Sequence, residues 1–470
     1  MMNPTVYADR RAELAERIDG PVLLMGHTTR KRNLPMNDLP FRQDSTFLYL
    51  TGCDLPGCAL LMVDGRSTLF APEPAEDDAL WHGHIVSLGA LRSRYGVAAV
   101  RPIGALAEAC KPHHGALRTV AVADDGATAR AAALTGLKLR YAVENGSDDL
   151  IDALIALRRL KRPEEVAEHR AAAEATAAAF ALAMAATRPG GHERAVAALF
   201  DAALAARGCT NGYPSIVTVH GEVLHNFRYT NALKDGDLLL LDGGGERPSG
   251  YGVDVTRTWP VTGRFTPRQR AAYEAVLTAQ RVAIGMCRAG VRYRDVHLTA
   301  ARVLARWLKD EGLVTCEVEE AVDAGAHALF FPHGVGHLLG MDVHDLENFG
   351  DRAAYAPGRD RSEQFGLAYL RMDMDLEPGF LVTIEPGFYA VPAILDDPTF
   401  RERFRGMVDF ERAAAWVGMG GIRIEDDVLV TSGAPEVLTA AIPKETGAVE
   451  AAVGFGPDAL ARLTAIPSRS

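Results

Sequence analysis

Four acidic residues stand where an ordinary solvated carboxylate is not expected. Leu238 to Leu241 form a short apolar run that ends on Asp242 and is followed by three glycines. Asp254 lies in the alternating run Val253–Trp259. The first run reads as a buried strand and the second as its partner. Glu385 ends another apolar run, LVTIEP, and Glu425 sits in GIRIEDDVLV, where Ile422 and Ile424 flank Arg423. A buried carboxylate without a partner costs several kcal/mol or takes up a proton, so several of them in one region call for a shared cation. Taken singly, Asp242 could equally begin a turn and Asp254 could be solvated. The segment HGVGHLLGMDVHD adds His333, His337 and His344. Histidines at i and i+4 also occur on the helix of zinc proteases, but the residues between them there include a catalytic glutamate. Here they are Gly-Val-Gly, which disfavours a helix, so a loop or strand offering a single imidazole is expected.

The elements that must position these groups fall into two blocks. A chain of 470 residues exceeds one ordinary core, and the composition is that of a globular protein. The expected division is residues 1–157 and 158–470, the second block opening with a charged helix at Pro163. In the first block FLYLTG reads as an aromatic strand, CALLMV and STLFAP as a hairpin around Asp64-Gly65, and Tyr7–Ile18 and Thr128–Leu134 as helices. His82, His84, His113 and His114 lie in polar surroundings and read as surface residues. In the second block, helices are expected from Pro163 to the Arg188-Pro189-Gly190-Gly191 stop and from Glu193 to Arg207. Strand-like YPSIVTV and the two opening strands follow. A capping box at Thr266–Gln269 starts another helix, and a fourth runs from Tyr293 to Lys309. Strands resume at FLVTIEP and GIRIEDDVLVT, which suggests a duplicated αβ half. Residues 351–364 read as a loop, and 396–412 as an inserted helical segment.

Composition excludes several classes. The net charge of −11 argues against nonspecific binding to nucleic acid or anionic membranes. The alanine-rich run 171–187 contains Glu174 and suits a soluble helix better than a membrane span. The first twenty residues lack the apolar core of a signal peptide, and the six cysteines are scattered with no CxxC pair. Reduced thiols in a cytoplasmic protein are therefore expected. Cys209 has no histidine spaced to activate it as a nucleophile.

The set LLLLDGGG, GYGVDVTRTWP, PHGVGHLLGMDVHD, TIEPGFY and GIRIEDDVLVT resembles the dinuclear-metal peptidases of the creatinase/methionine aminopeptidase ("pita-bread") superfamily, in its Xaa-Pro branch of aminopeptidase P and prolidase. FRQDSTFLYLTG and LFAPEPAEDDALWHG resemble the amino-terminal domain of aminopeptidase P. The resemblance implies an α/β (α+β) chain: an amino-terminal mixed α/β domain, then a pita-bread catalytic domain. It implies that Asp242 chelates one ion, Asp254 and Glu425 bridge two, and His337 and Glu385 complete the other shell. A site of carboxylates with one imidazole favours two divalent ions, Mn²⁺ first, with Zn²⁺ or Co²⁺ as alternatives. Two ions about 3.5–4 Å apart can share a water and lower its pKa toward ~7. Glu385 is then the implied general base, and His333 and His344 contact substrate or stabilise the tetrahedral intermediate. His225, in GEVLHNFRYTN, matches a substrate-pocket histidine, and Arg423 orients carboxylates from behind. The implied substrates are proline-containing peptides cleaved between an amino-terminal residue and proline. Prolidase, restricted to Xaa-Pro dipeptides, is the alternative. A homo-oligomer, dimer or tetramer, is expected from the resemblance. Creatinase-like and noncatalytic binding relatives lack such metal ligands, and all five ligand positions are filled here.

Overall fold

The computed structural model describes residues 2–34, 36–74, 78–83 and 86–454. The described chain divides into two compact units, one of residues 1–159 with 346–353 and the other of 160–345 with 354–470. His84 and the side chain of His82 lie outside the described residues. His113 is half-buried and His114 exposed. Among the described residues no helix is long and apolar enough to cross a membrane.

The first unit holds a four-stranded sheet in the order Val22–Met25, Ala59–Val63, Arg66–Ala71, Ala99–Pro102. The first two pairings are antiparallel and the last is parallel. The Asp64-Gly65 hairpin forms as expected. FLYLTG does not form a strand: Ser45–Thr51 is a helix. The Asp44 carboxylate accepts from the Phe47 amide at 2.8 Å, and Gly52 closes the helix in the left-handed conformation. All seven helical residues are buried, so no polar face betrays the helical period, and two end caps outweigh the β preference of Phe47 and Tyr49.

The second unit is built twice over from a pair of helices followed by short antiparallel strands. Pro163–Ala186 packs on Glu193–Ala205, and Pro267–Met286 on Tyr293–Asp310. The capping box at Thr266 and Gln269 is present. After the first pair, Leu238–Asp242 lies between Ile216–Thr218 and Thr256–Pro260, with Asp242 opposite both Ile216 and Thr256. After the second, Asp426–Leu429 lies between Leu381–Ile384 and Glu436–Val437, while Gly387–Phe388 pairs with Ile422–Arg423. Leu238 to Leu241 are almost fully buried. Trp259 packs edge-on against Phe180 and donates its indole N–H to Thr187 at 3.1 Å. The segment 396–412 contains two short helices, Pro398–Arg403 and Phe410–Ala414. Just after it, Trp416 packs edge-on against Phe388 and Trp307, bracing the strand that leads into Tyr389.

Two expected strands are interrupted at their carboxylates. The Val253 amide still donates to Gly245 O and Val255 O accepts from the Gly243 amide, but regular pairing begins only at Thr256. The Asp254 amide donates to the Asp427 carboxylate instead of to a strand. Gly244 makes this possible, since a Cβ there would fall 1.7 Å from the Val253 carbonyl oxygen. GIRIEDDVLVT likewise splits at Ile424-Glu425, where the Glu425 amide donates to Thr256 O at 3.0 Å.

Behind Glu425 a buried ion pair ties the halves together. Arg257 donates to Asp426 Oδ1 at 2.7 Å, both side chains wholly buried, and also to the carbonyls of Glu425, Ile442 and Pro443. Lys444 and Gln280 donate to the other Asp426 oxygen at 2.6 and 2.7 Å. Burial alone would push the Asp426 carboxyl up, but Arg257 and Lys444 outweigh it and hold it at about 2. Arg257→Met should therefore destabilise the protein by roughly 3–5 kcal/mol, because it strands part of a buried charge network. A fall in the urea midpoint checks this, and an unchanged midpoint would contradict it.

Candidate metal centre

The interrupted strands deliver their carboxylates to one place. Ligand atoms of Asp242, Asp254 and Glu425 lie within 4.8 Å of one another, as do those of His337, Glu385 and Glu425. A third set joins Asp254, His337 and His344. Four carboxylates from separate strands and one buried imidazole thus converge, and the donor set fits hard or borderline divalent cations.

Hydroxyls and one guanidinium hold these groups in place. The Tyr213 hydroxyl lies 2.6 Å from Asp242 Oδ1 and also contacts Asp254 Oδ1. Thr256 Oγ1 donates to Glu425 Oε2 at 2.6 Å, and Thr383 Oγ1 to Glu385 Oε1 at 3.3 Å. The His337 Nδ1–H donates to the Leu338 carbonyl at 3.0 Å. That sets the tautomer and leaves Nε2 facing Asp254 and Glu385, at 3.4 and 3.6 Å. Arg423 uses its whole guanidinium: Nη2 to Asp242 Oδ2 at 2.6 Å, Nη1 to the Tyr389 hydroxyl at 3.0 Å, Nε to Thr256 Oγ1 at 3.0 Å. Tyr389 in turn lies 2.9 Å from His333 Nε2, and His333 Nδ1 donates to the Gly334 carbonyl at 2.8 Å. His344 is exposed, its ring edge-on to His337 with centroids 4.5 Å apart.

The electrostatics state what is missing from such a cluster. Burial raises the Asp242, Asp254, Glu385 and Glu425 carboxyls, Glu385 to about 8. Repulsion from Asp254 adds to the rise at the other three, and Arg423 opposes it at all four. Arg423 and Arg371 do not neutralise four buried carboxylates, and divalent cations would. Burial pushes His333 down to about 3, so it is a neutral imidazole near pH 7.

Of the residues expected from sequence, Asp242, Asp254, His337, Glu385, Glu425 and His344 come together, with His333 and Arg423 bonded around them. His225 is exposed, its ring stacked on Phe227 with centroids 6.3 Å apart, and it belongs to none of the three-donor sets. The sequence reading passed over Tyr213, Tyr389, Thr256 and Thr383, whose hydroxyls bond the ligands or Arg423. It also passed over Arg371, whose charge acts on His333, His344, Asp254 and Glu385. Thr383 and Thr256, each two residues from an acidic position on an apolar strand, carried a readable signal. Tyr213 did not, since it precedes its strand like any turn residue. Tyr213→Phe should weaken metal binding by about ten- to a hundredfold through loss of carboxylate orientation. Competition with a chromogenic chelator measures this, and unchanged affinity would remove Tyr213 from the role.

Comparison with known proteins agrees with this geometry. Residues 167–432 match the model of metallopeptidase family M24, and residues 7–119 that of the aminopeptidase P amino-terminal domain. The Xaa-Pro dipeptidase of Homo sapiens is 31% identical, the alignment covering 95% of this chain and 92% of that protein. The Pseudomonas aeruginosa aminopeptidase PepP structure superposes with a TM-score of 0.80 at 30% identity, covering 96% and 98% of the two chains. Zn-substituted E. coli aminopeptidase P in complex with product gives 0.77 at 27% identity, with the same coverages. The chain belongs to metallopeptidase family M24 and joins that catalytic domain to an amino-terminal domain of the aminopeptidase P type.

Proposed function

We propose that this protein hydrolyses the bond between an amino-terminal residue and a following proline, as a Xaa-Pro aminopeptidase acting on peptides longer than two residues. The observation that carries the reading is the convergence of Asp242, Asp254, His337, Glu385 and Glu425, on a chain that aminopeptidase P structures match over nearly its whole length. Prolidase activity, restricted to dipeptides, is the second reading, supported by similarity to the human dipeptidase.

Asp242 would hold one ion, His337 and Glu385 the other, and Asp254 and Glu425 both. Asp254 and Glu425 are the two residues that share a three-donor set with Asp242 and another with His337, which supports a place for them between the two ions. When bound, two divalent ions, Mn²⁺ in this reading, would supply Lewis acidity to the scissile carbonyl and acidify a water. Glu385 takes the proton from the attacking water and passes it to the departing proline nitrogen. His333 has both ring nitrogens engaged, by Tyr389 and Gly334, so it fixes the Tyr389–Arg423 chain rather than donating freely. His344 is the exposed imidazole of the group and donates to the substrate oxygen on which charge develops. His225, exposed, contributes to the pocket rim. The protein acts in the cytoplasm as a homo-oligomer in this reading, and residues 1–157 and 158–470 are its two domains.

Turnover of Xaa-Pro against Xaa-Pro-Xaa peptides separates the two activities; cleavage of the dipeptide alone would overturn the first reading. Glu385→Gln should lower kcat by about 10²–10⁴ with the circular dichroism spectrum unchanged. Chelation should abolish hydrolysis and Mn²⁺ restore it. Less than about one divalent ion per chain with no Mn²⁺-restored activity would instead indicate a binding module.

A further inference from the structure

The loop from His337 to Asp345 carries a metal-ligand histidine at one end and His344 near the other. Its start is pinned to the strand that leads to Glu385. The Leu339 amide donates to Leu381 O at 2.9 Å, and the His337 amide to Thr383 Oγ1 at 3.1 Å. Its end is tied by Asp345. The Asp345 amide donates to Leu338 O at 3.0 Å, the same carbonyl that receives the His337 Nδ1–H. The Asp345 carboxylate is turned inward, where the Asp342 amide lies 3.4 Å from Oδ1 and Lys161 Nζ donates to Oδ2 at 3.1 Å.

Both side chains of this ion pair are 1% exposed. The backbone closes around the carboxylate as well: a Cβ on Gly340 would fall 2.1 Å from Asp345 Oδ2. Lys161 is itself held to the same scaffold, its amide donating to Gly379 O at 2.8 Å, two residues before the Leu381–Ile384 strand. Burying a pair of opposite charges is a poor route to stability, since apolar replacements of similar volume are often neutral or better. A fixed direction for the chain is what the pair supplies. His344, next to Asp345 in sequence, is exposed, and its ring stands edge-on to His337.

We propose that Lys161 and Asp345 are positioning residues that set the angle at which His344 meets the substrate. This rests on the reading of His344 as a donor to the substrate oxygen. Removing the clamp should then lower kcat about tenfold or more with little change in KM, because a shift of about 1 Å in a reacting group costs up to about a hundredfold.

Lys161→Met alone leaves the Asp345 carboxylate buried without the Lys161 ammonium. The decisive variant is the double replacement Lys161→Met/Asp345→Asn, which removes both charges at similar volume. Measurements are kcat and KM on whichever of the Xaa-Pro and Xaa-Pro-Xaa peptides is cut faster, bound metal per chain, and the thermal midpoint. Expected are wild-type metal content and a near wild-type midpoint in the double variant, with kcat reduced at least tenfold. Lys161→Arg should retain most of kcat. Adding His344→Ala to the double variant should lower kcat no further than His344→Ala does alone, since the clamp acts through that side chain. Gly340→Ala displaces the carboxylate without changing any charge and should reproduce the kcat loss if the double variant does not fold. Wild-type kcat in the double variant, or in Gly340→Ala, overturns the proposal. So do metal depletion, which would place the effect on His337, and losses that simply multiply in the triple variant. Wild-type kcat in His344→Ala overturns the role of His344 itself, whatever holds its loop.

Discussion

The structure depends on the cost of keeping negative charge away from water. Asp242, Asp254, Glu385 and Glu425 are brought together in the interior, where burial raises all of them and repulsion from Asp254 adds to the rise at the other three. The protein supplies Arg423 against this and leaves the larger part of the compensation to cations. Much of the local backbone follows from that need. A regular strand sends alternate side chains to opposite faces, and a break in it lets a carboxylate depart from that alternation. The ladders break at Asp254 and Glu425, and the freed amides are satisfied by the Asp427 carboxylate and by Thr256 O.

Neighbouring residues show how finely the charge is apportioned. Glu425 and Asp426 are adjacent and both buried, yet the first is raised and the second is held at about 2. Glu425 meets Asp254 and Glu385, whereas Asp426 meets Arg257 and Lys444. The break in the ladder at Glu425, with pairing resuming at Asp426, gives the two side chains different neighbours and makes one a candidate ligand and the other a structural anion. The hydroxyls of Tyr213, Thr256, Thr383 and Tyr389 bond the ligands or the guanidinium and fix direction without adding charge at neutral pH, which a site already crowded with carboxylates requires. The Lys161–Asp345 pair extends the same logic to the His344 loop, away from the ions.

Where the chain was legible, one residue's type decided its local conformation. The caps at Thr266 and Pro163, the glycines that end helices and the four leucines before Asp242 all act over a few bonds, and those elements stand where they were expected. FLYLTG misled because a helix buried on every side shows no periodicity, leaving β-forming side chains as the apparent signal. Val253–Val255 misled for another reason. Its alternation is real, but what fixes the Asp254 backbone is a carboxylate from Asp427, far along the chain.

The sequence by itself determined which residues are available: acidic groups set at the ends of apolar strands, glycines that let backbones approach, and a glycine-rich loop bearing histidines. Those are properties of single positions and their near neighbours, and periodicity and local motifs record them. The tertiary structure decided which of these groups share a point, which tautomer His337 holds, and which hydroxyls and ion pairs aim the rest. These depend on contacts between residues often more than a hundred positions apart, and the energy of such a contact appears in no local pattern until the chain has closed on itself.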